Sequence, residues 1–143
     1  MNTDLYVAKK TLLEGYTLVA CKEDIIYKSK LRGVGTLLEY IENGVRLEGF
    51  SCADRVVGKG AAFLYVLLGA HCVYAPVMSI SAKTTLYRFG IVALYDNLVD
   101  RIINRGGDGF CPIESAVIDI DDVNLAYNAI RNTISELRKK NDL

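Results

Sequence analysis

The sequence has no tryptophan, one histidine, two prolines and two methionines. Its four cysteines, Cys21, Cys52, Cys72 and Cys111, include no C-x-x-C pair. The short ligand spacings of a zinc knuckle or a thioredoxin-like redox site are therefore missing. Neither sign of charge is in excess, because 17 basic side chains meet 17 acidic ones. That balance lacks the electrostatic footprint of a general nucleic-acid binder. Met1 to Lys10 is charged where a secretory signal would carry an apolar core. Free thiols in a reducing, cytoplasmic compartment are expected. Repeats, linkers and low-complexity stretches are also missing.

One segment, Gly60 to Ala82, has no charged residue and is long enough to suggest a membrane span. Gly69, His71 and Pro76 interrupt it, and its flanks (Arg55 and Lys59, then Lys83 and Arg88) show no inside-outside bias. A buried helix, a glycine turn and a buried strand explain it better, so no membrane partner is expected.

What is present suits a single domain: 143 residues, 51% of them hydrophobic, can bury a core without staples. Leu5, Ala8, Leu12 and Leu13 recur at helical spacing and predict a first helix over 3–14. Thr17–Cys21 and Ile25–Lys28 are β-prone runs joined by Lys22-Glu23-Asp24, which reads as a hairpin. Val34, Leu37, Leu38 and Ile41 mark a helix closed by Asn43-Gly44.

Arg46–Phe50 predicts a third strand. Val57, Ala61, Leu64 and Leu68 stripe a helix that is apolar on its other faces too, and so buried on most sides. Gly58 and Gly60 would let this helix lie close against a sheet. Cys72–Val77 reads as a buried strand, Lys83–Phe89 as a short helix, and Ile91–Tyr95 and Arg101–Asn104 as the last strands. Pro112 suits the first turn of a helix capped by Cys111. Val123, Ala126, Ile130, Ile134 and Leu137 line a C-terminal helix over 121–140. Hairpin first, then helices alternating with buried strands, predicts an α/β fold, a three-layer α/β/α sandwich on a mixed sheet.

Two places carry candidate chemistry. Ser51-Cys-Ala-Asp54, read as leaving a strand and opening the buried helix, sets a thiol and a carboxylate two apart. The spacing resembles the zinc-binding and proton-shuttling element of zinc deaminases, and the order of elements resembles the cytidine deaminase fold. In that fold two more ligands follow the next strand, where this chain has Pro76-Val-Met-Ser-Ile-Ser-Ala-Lys83, with no cysteine or histidine. Zinc chemistry of this kind needs three protein ligands and a water, so no metal and no other cofactor is expected. The alternative reading makes Asp54 a helix N-cap and Cys52 a small core residue.

The second place is Asn104-Arg-Gly-Gly-Asp-Gly-Phe-Cys-Pro-Ile-Glu114. A cysteine at a helix N-terminus feels the positive end of the dipole, and Arg105 would add to that. A Cys111 nucleophile with Asp54 or Glu114 as proton acceptor is one reading. A glycine turn with a capping cysteine is the other. Lys28-Ser-Lys-Leu-Arg-Gly-Val-Gly-Thr36 brings basic residues to a glycine-rich helix start without Walker or dinucleotide spacing. His71, between apolar neighbours, reads as structural.

Leu31-Arg-Gly-Val34, Ala53-Asp-Arg-Val-Val-Gly-Lys-Gly-Ala-Ala62, Ile102-Ile-Asn-Arg105, Cys111-Pro-Ile-Glu114 and Ile118-Asp-Ile-Asp-Asp122 together resemble the bacterial and archaeal family named domain of unknown function 1893. The resemblance covers roughly residues 17–131. It implies a deaminase-like fold without the zinc signature, and it places Asp54, Lys59, Asn104, Arg105, Cys111 and Glu114 in family motifs. The function expected is binding of a nucleotide-like or other small ligand by Lys59, Asn104, Arg105 and Ser79, with Asp54 accepting hydrogen bonds. A metal-independent enzyme using Cys111, or an assembly domain that pairs as a homodimer, are the alternatives.

Overall fold

Leu18, Val19, Ala20 and Cys21 are buried one after another, the pattern of a strand covered on both faces. They form β1 (Leu18–Lys22), which pairs antiparallel with β2 (Ile25–Ser29) on one side and with β3 (Ser51–Asp54) on the other. β3, β5 (Cys72–Ser79) and β6 (Val92–Val99) continue the sheet in parallel. The two-residue β4 (Val56–Val57) pairs parallel with the end of β5, beyond the stretch paired with β3. Together with six helices these strands make a mixed α/β fold on one six-stranded sheet. The computed structural model describes residues 2–104 and 106–141.

Parallel strands need long crossovers, and two helices supply them. α3 (Lys59–Leu68) leads into β5, and α4 (Ile80–Arg88) joins β5 to β6. α3 is buried from Lys59 to Tyr65 and again at Leu68, as an all-round apolar helix should be. Gly69, at φ 80, ends it in the left-handed conformation. α3 shares one face of the sheet with α2 (Gly35–Glu42), α4, α5 (Pro112–Val117) and α6 (Val123–Asn141), over Leu18, Ala20, Cys52, Val73 and Ala75. The opposite face carries α1 (Thr3–Leu12), whose Ala8 and Leu12 meet Val19, Cys21, Ala53 and Tyr74. Among the described residues, no helix is long and apolar enough to cross a membrane.

The hairpin, α2, the buried α3 and the amphipathic α6 follow the sequence expectations to within a few residues. Four expectations need correction. The strand expected at Arg46–Phe50 lies at Ser51–Asp54, because Gly49 turns the chain at φ 78 and leaves only a Glu48–Ala70 bridge before it. Asp54 is therefore the last residue of β3 and not a helix cap; Gly58 caps α3. Arg101–Asn104 forms no strand and contributes only an Ile103–Phe110 bridge. Finally, Gly58 and Gly60 admit α5 and its approach, not the sheet: a Cβ on Gly60 would lie 2.6 Å from Ile113 Cγ2. Smaller shifts affect α4, which begins at Ile80 instead of Lys83, and the terminal helices, which span 3–12 and 123–141.

Candidate functional site

β4 and β5 end at the same edge of the sheet, and a helix begins just beyond each. The crevice at the carboxyl ends of parallel strands is where open α/β sheets place their sites. Ser79, the last residue of β5, caps α4 by accepting a hydrogen bond from Ala82 N at 3.1 Å. Gly58 leads into α3 without a side-chain cap.

Glu114, from the far end of the chain, supplies the cap that the α3 start lacks and binds the serine hydroxyls at the α4 start. Its side chain is 1% exposed. Oε2 accepts from Lys59 N at 2.7 Å, Ser79 Oγ at 2.5 Å and Ser81 Oγ at 3.2 Å. Oε1 accepts from Ile102 N at 2.7 Å. Hydrogen bonds to an ionised acceptor are short and strong, and a carboxylate complements the positive ends of two helices. The approach is tight, since a Cβ on Gly58 would stand 3.0 Å from both Glu114 Oε2 and Ile102 Cγ1.

The Lys59 side chain serves a different surface. Nζ donates to Ile118 O at 2.8 Å and lies 3.7 Å from Asp121 Oδ1. Arg88 reaches the same residue, donating to Asp121 O at 2.8 Å with Nη1 3.8 Å from Oδ1. Lys59, Ser81, Thr84, Arg88, Asp100 and Asp121 line a shallow cleft of about 700 Å³.

Asp54 occupies a separate level. Tyr65 Oη donates to Asp54 Oδ2 at 2.7 Å. Tyr65 is six residues beyond Lys59, about 9 Å along the helix at 1.5 Å per residue, so Asp54 lies under the body of α3 and Glu114 at its first turn. Burial pushes the Asp54 carboxyl up to about 7, although the Tyr65 hydrogen bond pulls the other way. Burial also raises the Tyr65 phenol, with the Asp54 charge adding to the effect, and raises the Cys52 thiol. Cys52 is fully buried among core residues.

Of the residues singled out in the sequence, Lys59, Ser79 and Glu114 come together directly. Cys111 caps α5 as expected, without a side-chain capping bond, and its amide donates to Ile102 O at 2.9 Å. Asn104 closes the glycine loop on itself, accepting from Asp108 N at 3.2 Å. Arg105 lies outside the described residues.

A family model described as Domain of unknown function (DUF1893) matches residues 7–134. The chain belongs to this family. A DUF1893 family protein of known crystal structure, from Thermotoga maritima, is 25% identical, with a TM-score of 0.80 over 95% of this chain and 92% of its own. No curated protein matches the sequence.

Four of the five motifs that carry the DUF1893 resemblance meet at the site. One gives Lys59, another Ile102, a third Glu114, and the fourth Ile118 and Asp121. The sequence reading missed Ser81, Arg88, Asp100 and Tyr65. Asp121 lay inside a recognised motif and was the available signal for the rim of the cleft. The donors around Glu114 are hydroxyls and amides, and among the described residues no three of His, Cys, Asp and Glu gather. That set does not fit the zinc of a deaminase.

Proposed function

We propose that this DUF1893 chain is a deaminase-like three-layer sandwich that binds a small polar ligand of the nucleotide or nucleoside class in the cleft over α3 and α4. The observation that carries the reading is the meeting of two helix starts, two cations and two carboxylates at the carboxyl end of the parallel strands. Arg88, whose side chain is half-exposed, suits an anionic group, with Lys59 behind it and Asp121 paired to both cations. Asp100 and the Ser81 and Thr84 hydroxyls, which line the same cleft, suit the hydrogen-bonding groups of a base or sugar. The three buried cysteines among four free ones support a reducing, cytoplasmic setting.

Cys111 as a nucleophile has one supporting observation: it is the cysteine that is not buried. Weighing against it, both oxygens of Glu114 are engaged and Asp54 is held by Tyr65. A free base for the thiol is what that alternative needs.

A thermal-shift series with nucleosides and their mono-, di- and triphosphates tests the binding reading. A ligand that binds only the folded form raises the midpoint by mass action. Arg88→Ala, at a half-exposed position, should abolish the response to phosphorylated ligands while leaving the ligand-free midpoint nearly unchanged. A flat response across the whole series overturns the proposal.

A further inference from the structure

The geometry points to a two-fold dimer in which the β6 strands of two copies pair antiparallel and join their sheets. β6 is eight residues long and pairs only with β5 among the described residues. Alternate amides and carbonyls along its outer edge are therefore left to solvent. Proteins normally guard such an edge with lysine, proline or a bulge. β2, the opposite edge, carries an exposed Lys28. Val92-Ala-Leu-Tyr-Asp-Asn-Leu-Val99 has no lysine, arginine or proline, and leaves Val92, Leu94 and Leu98 47%, 39% and 38% exposed. Its single charge, Asp96, is engaged by Tyr74 Oη at 2.6 Å on the α1 side of the sheet.

Two further observations select a second copy as the occupant. Lys83 of α4 reaches across to Tyr95 Oη at 3.1 Å, so that flank of α4 overhangs β6. Tyr87 is one helical turn further along the same flank and is 84% exposed. A partner must then offer a strand edge with a helix flank above it at matching height. A copy turned by a two-fold axis normal to the sheet offers both.

The strand is also compatible with itself. Keeping the faces of both copies aligned requires pairing symmetric about one residue, because side chains alternate along a strand. Centred on Tyr95, the pairing sets Val92 opposite the second copy's Leu98, and Tyr95 opposite its own equivalent. Asp96 then faces the second copy's Leu94 and not another Asp96, which avoids a directly opposed like-charge pair.

Sedimentation velocity from 1 to 100 µM, joined to two variants, tests this. The wild type should sediment as a dimer across the upper part of that range. Leu94→Lys, at an exposed position that leaves the core alone, should give a folded monomer with unchanged circular dichroism. In a Cys111→Ser background, Tyr95→Cys should form an intermolecular disulfide under mild oxidation, whereas Asn97→Cys should not. Protection of β6 amides from hydrogen exchange that rises with concentration provides a readout independent of any variant. A monomer at 100 µM overturns the inference, and so does a dimer that survives Leu94→Lys without Tyr95→Cys crosslinking.

Discussion

The backbone nitrogen of Lys59 and Oε2 of Glu114 lie 2.7 Å apart although 55 residues separate them in the chain. The contact ties the first turn of the buried central helix to a short helix that reaches it only after the sheet is complete. One carboxylate thereby satisfies amides and hydroxyls from three separate segments, and the local structure of the candidate site hangs on it.

Replacing that carboxylate exposes its weight. Glu114→Ala leaves the amides of Lys59 and Ile102 buried without partners, and each orphaned donor costs about 1–3 kcal/mol. The expected loss is about 3–5 kcal/mol, read as a lowered urea midpoint at unchanged slope. Glu114→Gln keeps one acceptor oxygen but turns an NH₂ toward donors, so its loss should fall between wild type and Glu114→Ala.

Gly60 gives a substitution with the opposite sign to the usual one. Glycine to alanine in a helix normally stabilises by about 0.5–1 kcal/mol. Here the new methyl meets Ile113 Cγ2 at 2.6 Å, a methyl on the branched Cβ that only a change of the stiff χ1 or a shift of the backbone can move. Gly60→Ala should destabilise by about 1–3 kcal/mol. Combined with Ile113→Ala it should cost less than the sum of the two, with a coupling of at least ~0.5 kcal/mol in a double-mutant cycle. Strict additivity would contradict the close approach.

Asp54 should imprint a pH dependence on stability. Burial raises its carboxyl from 3.8 to about 7, so between those values the folded chain holds a proton that the unfolded chain releases. Stability must then fall as pH rises through that window, by up to ~1.4 kcal/mol per pH unit, and level off above it. Asp54→Asn, which can still accept from Tyr65, should flatten the fall and leave the protein more stable than wild type at pH 8. Parallel pH profiles for the two proteins would refute the assignment.

Thiol counting tests the packing around the cysteines. Cys21, Cys52 and Cys72 are buried and Cys111 is half-buried, so a thiol reagent under native conditions should modify one site quickly and all four only in denaturant. Cys111→Ser should remove the fast phase. A second fast-reacting thiol would mean that the face under α1 or the core under α3 opens more readily than its burial implies.

The parts of the fold legible in the sequence are those set by local patterns. Lys22-Glu23-Asp24 punctuates two β-prone runs, and α3 announces itself by being apolar all round. β3 was not legible. Ser51-Cys-Ala-Asp54 has modest strand preference, and it becomes a strand because antiparallel pairing with β1 and parallel pairing with β5 bury it. Glu114 was visible as a residue near a helix start, but its partners were not, since nothing local links position 114 to positions 59, 79 and 102. A buried glutamate is also rare enough that exposure is the natural first expectation. Asp54 and Glu114 looked like two acids available to one site. Their separation follows from the length of α3, which only the folded geometry displays.

Gly106 to Gly109 are all exposed, and the chain on either side is gripped elsewhere: Ile102 and Lys59 hold Glu114 from one side, while Val117, Ala126 and Ile130 lie in the core on the other. The peptide bonds of this loop consequently join two portions whose recognition of one another is already complete without them. Severed within those glycines, the protein should persist as a two-piece molecule, and residues before and after the cut, produced as separate chains, should find each other and reassemble. Exposed loop tips of this kind are where nicks and permuted termini are tolerated, which makes the glycine loop a seam at which the protein can be opened and rejoined.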